Sequence, residues 1–303
     1  TTCRRQRQMC IRDSLKSLIL DSPNFLEECK GVIPKNKIWA HISGTDLIKD
    51  HTGKFYVLED NLRVPSGVAY MLENRNVMKK VVTELFNNYK VSPVDDYTSQ
   101  LYKCLSDASY AKDKKKTIVI LSPGIFNSAY FEHAYLAQQM GIVLVESSDL
   151  CLSDDNYVYM KTISGKKKID VIYRRINDDY LDPNVWIKDS TLGLPGLINS
   201  WKEKKVAIVN APGSGVADDK AVYAFVPKMI EFYLNEKPKL AQVKTYLCAF
   251  DKDKKYVLDN IKKLVLKPVN ESGGYGILIG PNASKKELEA VSYTHLRAHE
   301  TIP

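Results

Sequence analysis

The sequence predicts a mixed α/β protein, and three patterns carry that expectation. Thr117-Ile118-Val119-Ile120-Leu121 reads as a buried strand, Ala129 to Met140 as a helix stopped by Gly141, and Ile142-Val143-Leu144-Val145 as the next strand. Strand, helix and strand at this spacing form a parallel α/β unit. Nearer the start, residues 37–62 alternate around a turn, which is the pattern of a β-hairpin. Short apolar runs at Ile169-Asp170-Val171-Ile172-Tyr173 and Val206-Ala207-Ile208-Val209 add further strands.

Each element has a local justification. In the hairpin, Ile38-Trp39-Ala40-His41-Ile42 leads into Thr45-Asp46-Leu47-Ile48, then the turn Asp50-His51-Thr52-Gly53, then Phe55-Tyr56-Val57-Leu58-Glu59. Gly53 supplies the turn dihedral that other residues resist. Residues 68–89 are expected as one helix, with Met71, Val77, Val81, Leu85 and Phe86 along one side. A polar connector follows to about Lys116, holding a helix around 97–109. After Gly215 a helix is expected from about Lys220 to Leu234. Leu264-Val265-Leu266-Lys267 and Gly276-Ile277-Leu278-Ile279 flank a glycine-rich loop, and there is no internal repeat.

Composition limits the function classes. The 303 residues suffice for two domains or three small ones, and 44% hydrophobic with 26% charged residues is the balance of an ordinary globular protein. No apolar run is long enough to cross a bilayer and the first residues lack a signal-peptide core, so a cytoplasmic location and no membrane partner are expected. The net charge of +8 is spread between Lys114-Lys115-Lys116 in the connector and Lys166-Lys167-Lys168 in an expected turn. No aromatic-basic stripe accompanies them, so no nucleic-acid partner is expected. Six cysteines, at 3, 10, 29, 104, 151 and 248, form no C-x-x-C pair and are read as reduced, mostly buried thiols.

Both ends differ from the sequence between them. Residues 1–14 and 291–303 resemble translated transposase adapters from sequencing libraries, and are set aside from the fold reading. On that reading the chain is a fragment open at both ends.

Two clusters carry chemistry. In the hairpin, Phe55, Val57, Glu59 and Asn61 share one face, and pairing about the turn brings Asp46 beside Glu59. Two carboxylates and an amide oxygen make a hard oxygen site of the kind that takes Mg²⁺ with nucleotide phosphates. Spacing alone leaves this open between a cation site and a solvated acidic hairpin end. In LVLKPVNESGGYGILIG, Lys267 ends a strand and Ser272-Gly273-Gly274-Tyr275-Gly276 forms the tip, where bare backbone N–H groups can approach phosphate. A plain turn would also use such glycines. APGSGVADDK, residues 211–220, is no P-loop and lacks the third glycine of a dinucleotide fingerprint. Asp218 or Asp219 there could simply cap the following helix.

The spacing D-x12-E-x-N of Asp46, Glu59 and Asn61, followed by Pro65 and Gly67, is similar to the metal-binding end of ATP-grasp ligases. The run GTDLIKDHTGKFYVLEDNLRVPSGVAYMLENR resembles the circularly permuted type 2 ATP-grasp family, in which this end comes first in the chain. APGSGVADDK, SPGIFNSAYFEHAYLAQQMG and VIYRRINDDYLDP resemble the same family in the same order.

The resemblance implies an incomplete circularly permuted ATP-grasp fold with a Rossmann-like domain preceding the grasp. It divides the chain into 15–90 (the permuted end with the metal hairpin), a connector at 91–116, the Rossmann-like domain at 117–215 and the first part of the grasp at 216–290. The implied function is an ATP- and Mg²⁺-dependent carboxylate–amine ligase, forming an amide or peptide bond through an acyl phosphate. Asp46, Glu59 and Asn61 would hold magnesium. Lys220, Lys267 and Ser272, Gly273, Gly274, Tyr275 and Gly276 would hold the triphosphate. Arg63, Arg174 and Arg175 are the candidate catalytic cations, and Ser66, Asn127 and Glu132 fall on the substrate side. Asn127 could equally cap a helix, and Glu132 and His133 could sit on its surface.

A small or peptide-like substrate bearing a carboxylate and an amine is the implied partner. Family members continue past Ala283-Ser284, so the chain as it stands is expected to bind ATP poorly and to turn over nothing. Two rival readings are a non-catalytic ATP-grasp module and a Rossmann-type nucleotide enzyme built on 117–215 alone.

Overall fold

The computed structural model describes residues 19–20, 22–269 and 276–294. The described chain is a mixed α/β protein with several small sheets. In chain order it forms β1 (Gly44–Lys49), β2 (Phe55–Asn61), α1 (Val68–Val81), α2 (Thr83–Asn88), α3 (Tyr97–Ala108) and β3 (Ile118–Leu121). Then follow α4 (Tyr130–Met140), β4 (Val143–Val145), β5 (Leu150–Leu152), β6 (Val158–Thr162), β7 (Gly165–Lys168) and β8 (Val171–Arg174). The rest comprises α5 (Leu197–Lys202), β9 (Ala207–Val209), α6 (Lys220–Tyr223), α7 (Val226–Leu234) and β10 (Ala241–Gln242). It ends with α8 (Asp251–Asn260), β11 (Val265–Leu266), β12 (Leu278–Ile279) and α9 (Lys285–Thr294).

The chain divides into two compact units, one of Thr1–Phe25, Thr45–Asp60 and Val216–Pro303, the other of Leu26–Gly44 and Asn61–Gly215. This cuts across the sequence-based division, which kept residues 15–90 together. The second unit is built on the parallel sheet β4-β3-β8-β9. Its strands are apolar on both faces because both faces are covered. Ile118 and Ile120 pack with Leu101 and Leu105 of α3 and Leu136 of α4, while Val119 and Leu121 turn the other way, onto Leu197 and Trp201 of α5. The first strand, β3, lies between the second and third in chain order, so the strand order reverses between β3 and β8. In an open α/β sheet the crevice beyond the strand C-termini at such a point is where ligands bind.

Several local expectations are corrected. The helix expected over 68–89 breaks at Val82 (φ −123°, ψ 50°), where the Thr83 hydroxyl donates to Lys79 O at 2.9 Å in place of the helical ladder. Its apolar stripe is not a buried face: Met71, Val77, Val81 and Leu85 are exposed, and Ala69 and Leu72 are the buried residues of α1. The helix expected over 220–234 divides as well, because Pro227 has no N–H to give Tyr223 and instead starts α7. Lys166, Lys167 and Lys168 lie not in a turn but on β7, an exposed edge strand of the antiparallel meander β5-β6-β7. Lysines on an open edge oppose pairing with another chain. Ile38 to Ile42 form no strand, being tied instead through Trp39 O to Ala211 N and through the His41 and Ile42 amides to Asn210.

The first unit carries the sheet β1-β2-β10, with β10 parallel to β2 through Ala241↔Tyr56 and Gln242↔Val57. Val243 N and the Tyr223 hydroxyl both donate to Val57 O, at 3.0 and 2.6 Å. β11 and β12 form the antiparallel ribbon expected around the glycine loop.

Among the described residues the free cysteines are Cys29, Cys104, Cys151 and Cys248. Of these Cys29 is buried and the others partly so, a more exposed set than expected.

Candidate functional site

The β1–β2 ribbon sorts its acids by face. On one face the Thr45 hydroxyl donates to Asp60 Oδ1 at 2.7 Å. That pairing puts the next residues inward, Asp46 and Glu59, opposite each other on the other face, close enough for their charges to act on one another. The Asp46 carboxyl is raised above its usual range, first by loss of solvent and then by the charges of Glu59 and Asp60, with Lys267 opposing. Ionising it costs stability in this setting. The protonated Asp46 carboxyl is favoured below the ordinary aspartate pKa, and that stability is lost as pH rises through the raised value. A cation beside the two acids reverses the penalty.

Two lysines complete the cluster. Lys220 Nζ lies 3.4 Å and Lys267 Nζ 3.9 Å from Glu59 Oε2. Asp219 caps α6 by accepting from Ala221 N at 2.8 Å, and its other oxygen accepts from the Ser22 hydroxyl at 2.9 Å. This fixes the start of the helix that opens with Lys220. Lys220 N in turn donates to Val269 O at 3.4 Å, bringing the segment after β11, which carries Lys267, alongside. Glu59, Lys220 and Lys267 are each about a quarter exposed, so the charges face solvent from a shaped corner. Among the described residues no group of three or more His, Cys, Asp and Glu converges as a metal site. A pair of carboxylates suits Mg²⁺, which takes one or two protein acids and fills its shell with water and phosphate oxygens.

The remaining predicted residues fall as follows. Asn61 ends β2 in the second unit, and its Nδ2 donates to Gly44 O at 3.1 Å. Ser272, Gly273, Gly274 and Tyr275 lie outside the described residues. Gly276 has φ +69°, and a Cβ there would come 2.8 Å from the Pro268 ring, so the β11–β12 ribbon needs glycine at that point. Gly213 and Gly215 serve packing: Gly213 N donates to Asp178 Oδ1 at 3.1 Å, and the Arg63 side chain crosses Gly215.

Arg174 and Arg175 are not open clamps. Arg174 is fully buried, donating to Asn210 O at 2.7 Å and Ile176 O at 3.1 Å and pairing with Asp178 at 3.1 Å. Arg175 donates to Pro65 O at 2.7 Å, to the Tyr173 hydroxyl at 3.0 Å and to Glu132 at 2.7 Å. Glu132, fully buried on α4, also accepts from the Ser66 hydroxyl at 2.9 Å, Gly67 N at 2.7 Å and Ala69 N at 3.1 Å. Ser66 and Glu132 therefore cap and anchor α1. Asn127 accepts from Ala129 N at 2.9 Å, a turn before α4 rather than its cap. It follows the exposed Ile125 and Phe126 in the loop after β3, beside the crevice of the parallel sheet.

His133, too, is buried rather than on the helix surface. Its Nδ1 meets the Ser122 hydroxyl at 2.9 Å, and burial with the nearby Arg175 charge pulls its pKa down to about 4. Sequence reasoning missed Asn210, Asp178 and Tyr223. Asp178 falls in the quoted run VIYRRINDDYLDP, four residues after Arg174, and that i,i+4 spacing was the available signal.

A hairpin with two acids, two lysines set on it and the β11–β12 ribbon beside it form a charged corner on a mixed α/β scaffold. The chain belongs to the circularly permuted ATP-grasp type 2 family, whose pattern matches residues 6–300. That match runs into both terminal segments that the sequence reading set aside. An uncharacterized protein of Synechocystis is 50% identical over 282 residues, covering 92% of this chain and 58% of its own length. An uncharacterized protein of Mycobacterium tuberculosis H37Rv is 50% identical over 287 residues, covering 94% and 52%. A Frankia casuarinae protein named "Putative glutamate--cysteine ligase 2-2" is 39% identical over 275 residues, covering 90% of this chain and 32% of its own. The chain thus spans about half the length of the first two. Among the described residues no helix is long and apolar enough to cross a membrane.

Proposed function

We propose that this chain carries the nucleotide end of an ATP-dependent carboxylate–amine ligase. The observation behind the proposal is the meeting of Asp46, Glu59, Lys220 and Lys267, drawn from three distant stretches of one compact unit. Membership of the ATP-grasp family supports ATP as the phosphoryl donor. The name of the Frankia relative supports amino acids, such as glutamate and cysteine, as the class of substrate.

In this reading Asp46 and Glu59 hold Mg²⁺. When bound, the ion neutralises charge on the phosphate oxygens. Lys220 and Lys267 orient the triphosphate as point charges. The γ-phosphoryl group moves to a substrate carboxylate oxygen, releasing ADP. The amine nitrogen then attacks the acyl carbon, loses a proton and expels inorganic phosphate. Arg63 steadies the charge on the transferring group or on the tetrahedral intermediate. Arg174 and Arg175, committed to the chain itself, act as supports. The loop carrying Asn127 contributes to the substrate side.

The test is Mg²⁺-dependent ADP release by the full-length gene product offered L-glutamate with amine acceptors, cysteine first. Asp46→Asn, Glu59→Gln and Lys267→Ala should each lower it by about a hundredfold or more. ADP release untouched by these changes would overturn the reading.

A further inference from the structure

Asn210 is 2% exposed and has every hydrogen-bonding position of its side chain filled. Its Oδ1 accepts from His41 N at 2.8 Å and Ile42 N at 3.0 Å. Its Nδ2 donates to Ile42 O and to Leu62 O, both at 2.7 Å. An amide offers two acceptor and two donor positions, so this one is saturated. Its own carbonyl accepts from Arg174 Nε at 2.7 Å, and Arg174 is fixed by Asp178. The partners matter more than their number. Ile42 stands two residues before β1 begins, and Leu62 is the first residue after β2 ends. One buried side chain thus grips the backbone on both sides of the hairpin root, and Asn61 Nδ2 to Gly44 O closes the same gap one step further in.

We propose that Asn210 is a positioning residue for the metal hairpin, setting the spacing and register of the two strands at their root and hence the meeting of Asp46 with Glu59. The metal part of this inference rests on the ligase reading above; the clamp itself does not. Strand register is all-or-none for side-chain direction. A one-residue slip of β2 against β1 would turn Glu59 to the opposite face and bring Asp60 round in its place. The turn at residues 50–54 does not by itself prevent such slips, whereas four hydrogen bonds to fixed backbone atoms do. Leaving these groups unpaired in a buried setting is costly, so the clamp is not easily exchanged for water.

The test compares Asn210→Ala, which removes all four bonds, with Asn210→Asp, which keeps the two acceptor positions and loses the two donors. Amide hydrogen exchange is read over 44–61 and, as a control, over 118–121 and 171–174 of the parallel sheet. In Asn210→Ala the hairpin amides should exchange about tenfold faster while the parallel sheet changes less than about twofold. In Asn210→Asp the His41 and Ile42 amides should stay protected and the β2 amides should loosen. Asn210→Asp also carries the test should the alanine variant fail to fold.

The second readout is Mn²⁺ affinity of the protein, with Asp46→Asn marking the loss of a direct ligand. Both Asn210 variants should bind about tenfold more weakly than wild type without abolishing the site. Unchanged hairpin exchange, or acceleration shared equally by the parallel sheet, overturns the clamp. Wild-type protein that takes no Mn²⁺ counts against the ligase reading instead, and the exchange result then decides the clamp alone.

Discussion

Glu59 and Glu132 are both glutamates paired with cations, and they do opposite work. Glu132 is fully buried and accepts from three donors of the α1 N-terminus as well as from Arg175. Nothing further can reach it. Glu59 is about a quarter exposed, has a second acid at its side and meets two lysines at 3.4 and 3.9 Å, longer than close hydrogen bonds. Under the proposed function, such a cluster exchanges its internal pairings for a phosphate and a metal ion, because both signs of charge face solvent. Burial with every position filled marks Glu132 as architecture, whereas the charges around Glu59 stay partly exposed. By the same measure Arg174 and Arg175, expected as catalytic cations, are closed inside the fold.

The comparison can be broken at its strong end first. Glu132→Gln keeps the shape and removes the charge, stranding the buried Arg175 guanidinium. Urea unfolding should show a loss of about 3–5 kcal/mol. A loss under about 1 kcal/mol would mean that the cluster does not hold α1.

The neighbouring His133 sharpens the point through pH. With its pKa lowered from 6.5 to about 4, the unfolded chain binds the extra proton first. Its contribution is therefore complete above pH 6.5 and is lost as pH falls from there toward 4, by on the order of 3 kcal/mol. His133→Asn, which retains an acceptor for Ser122, should flatten that part of the stability profile.

At the weak end, Lys220→Ala and Lys267→Ala should change stability by no more than about 1 kcal/mol, as expected of partly exposed pairs. The same variants should weaken Mg-ATP binding about tenfold in calorimetry. Stability losses as large as that of Glu132→Gln would place these lysines in the architecture too.

Much of this was legible from residues alone. The apolar run at 118–121, the helix stopped by Gly141 and the hairpin turn at Gly53 all stand where local pattern put them. So does the approach of Asp46 to Glu59, because period-two alternation about a known turn is a local calculation. Helix continuity was less legible. Thr83 and Pro227 break helices through single backbone bonds, which a stripe of apolar residues does not register. Burial of α1 was misjudged because a periodic stripe says nothing about whether a partner surface is present.

What the sequence by itself determined is the set of elements and the chemistry of the hairpin, since turns, alternation and capping act over a few residues. Only the tertiary structure decided which charges are open and which are closed. Asn210 reads as an ordinary turn residue before Ala211-Pro212-Gly213, yet its partners lie 148 to 169 positions away. Hydrogen-bond saturation is a property of atoms brought together by folding. No spacing along the chain encodes it.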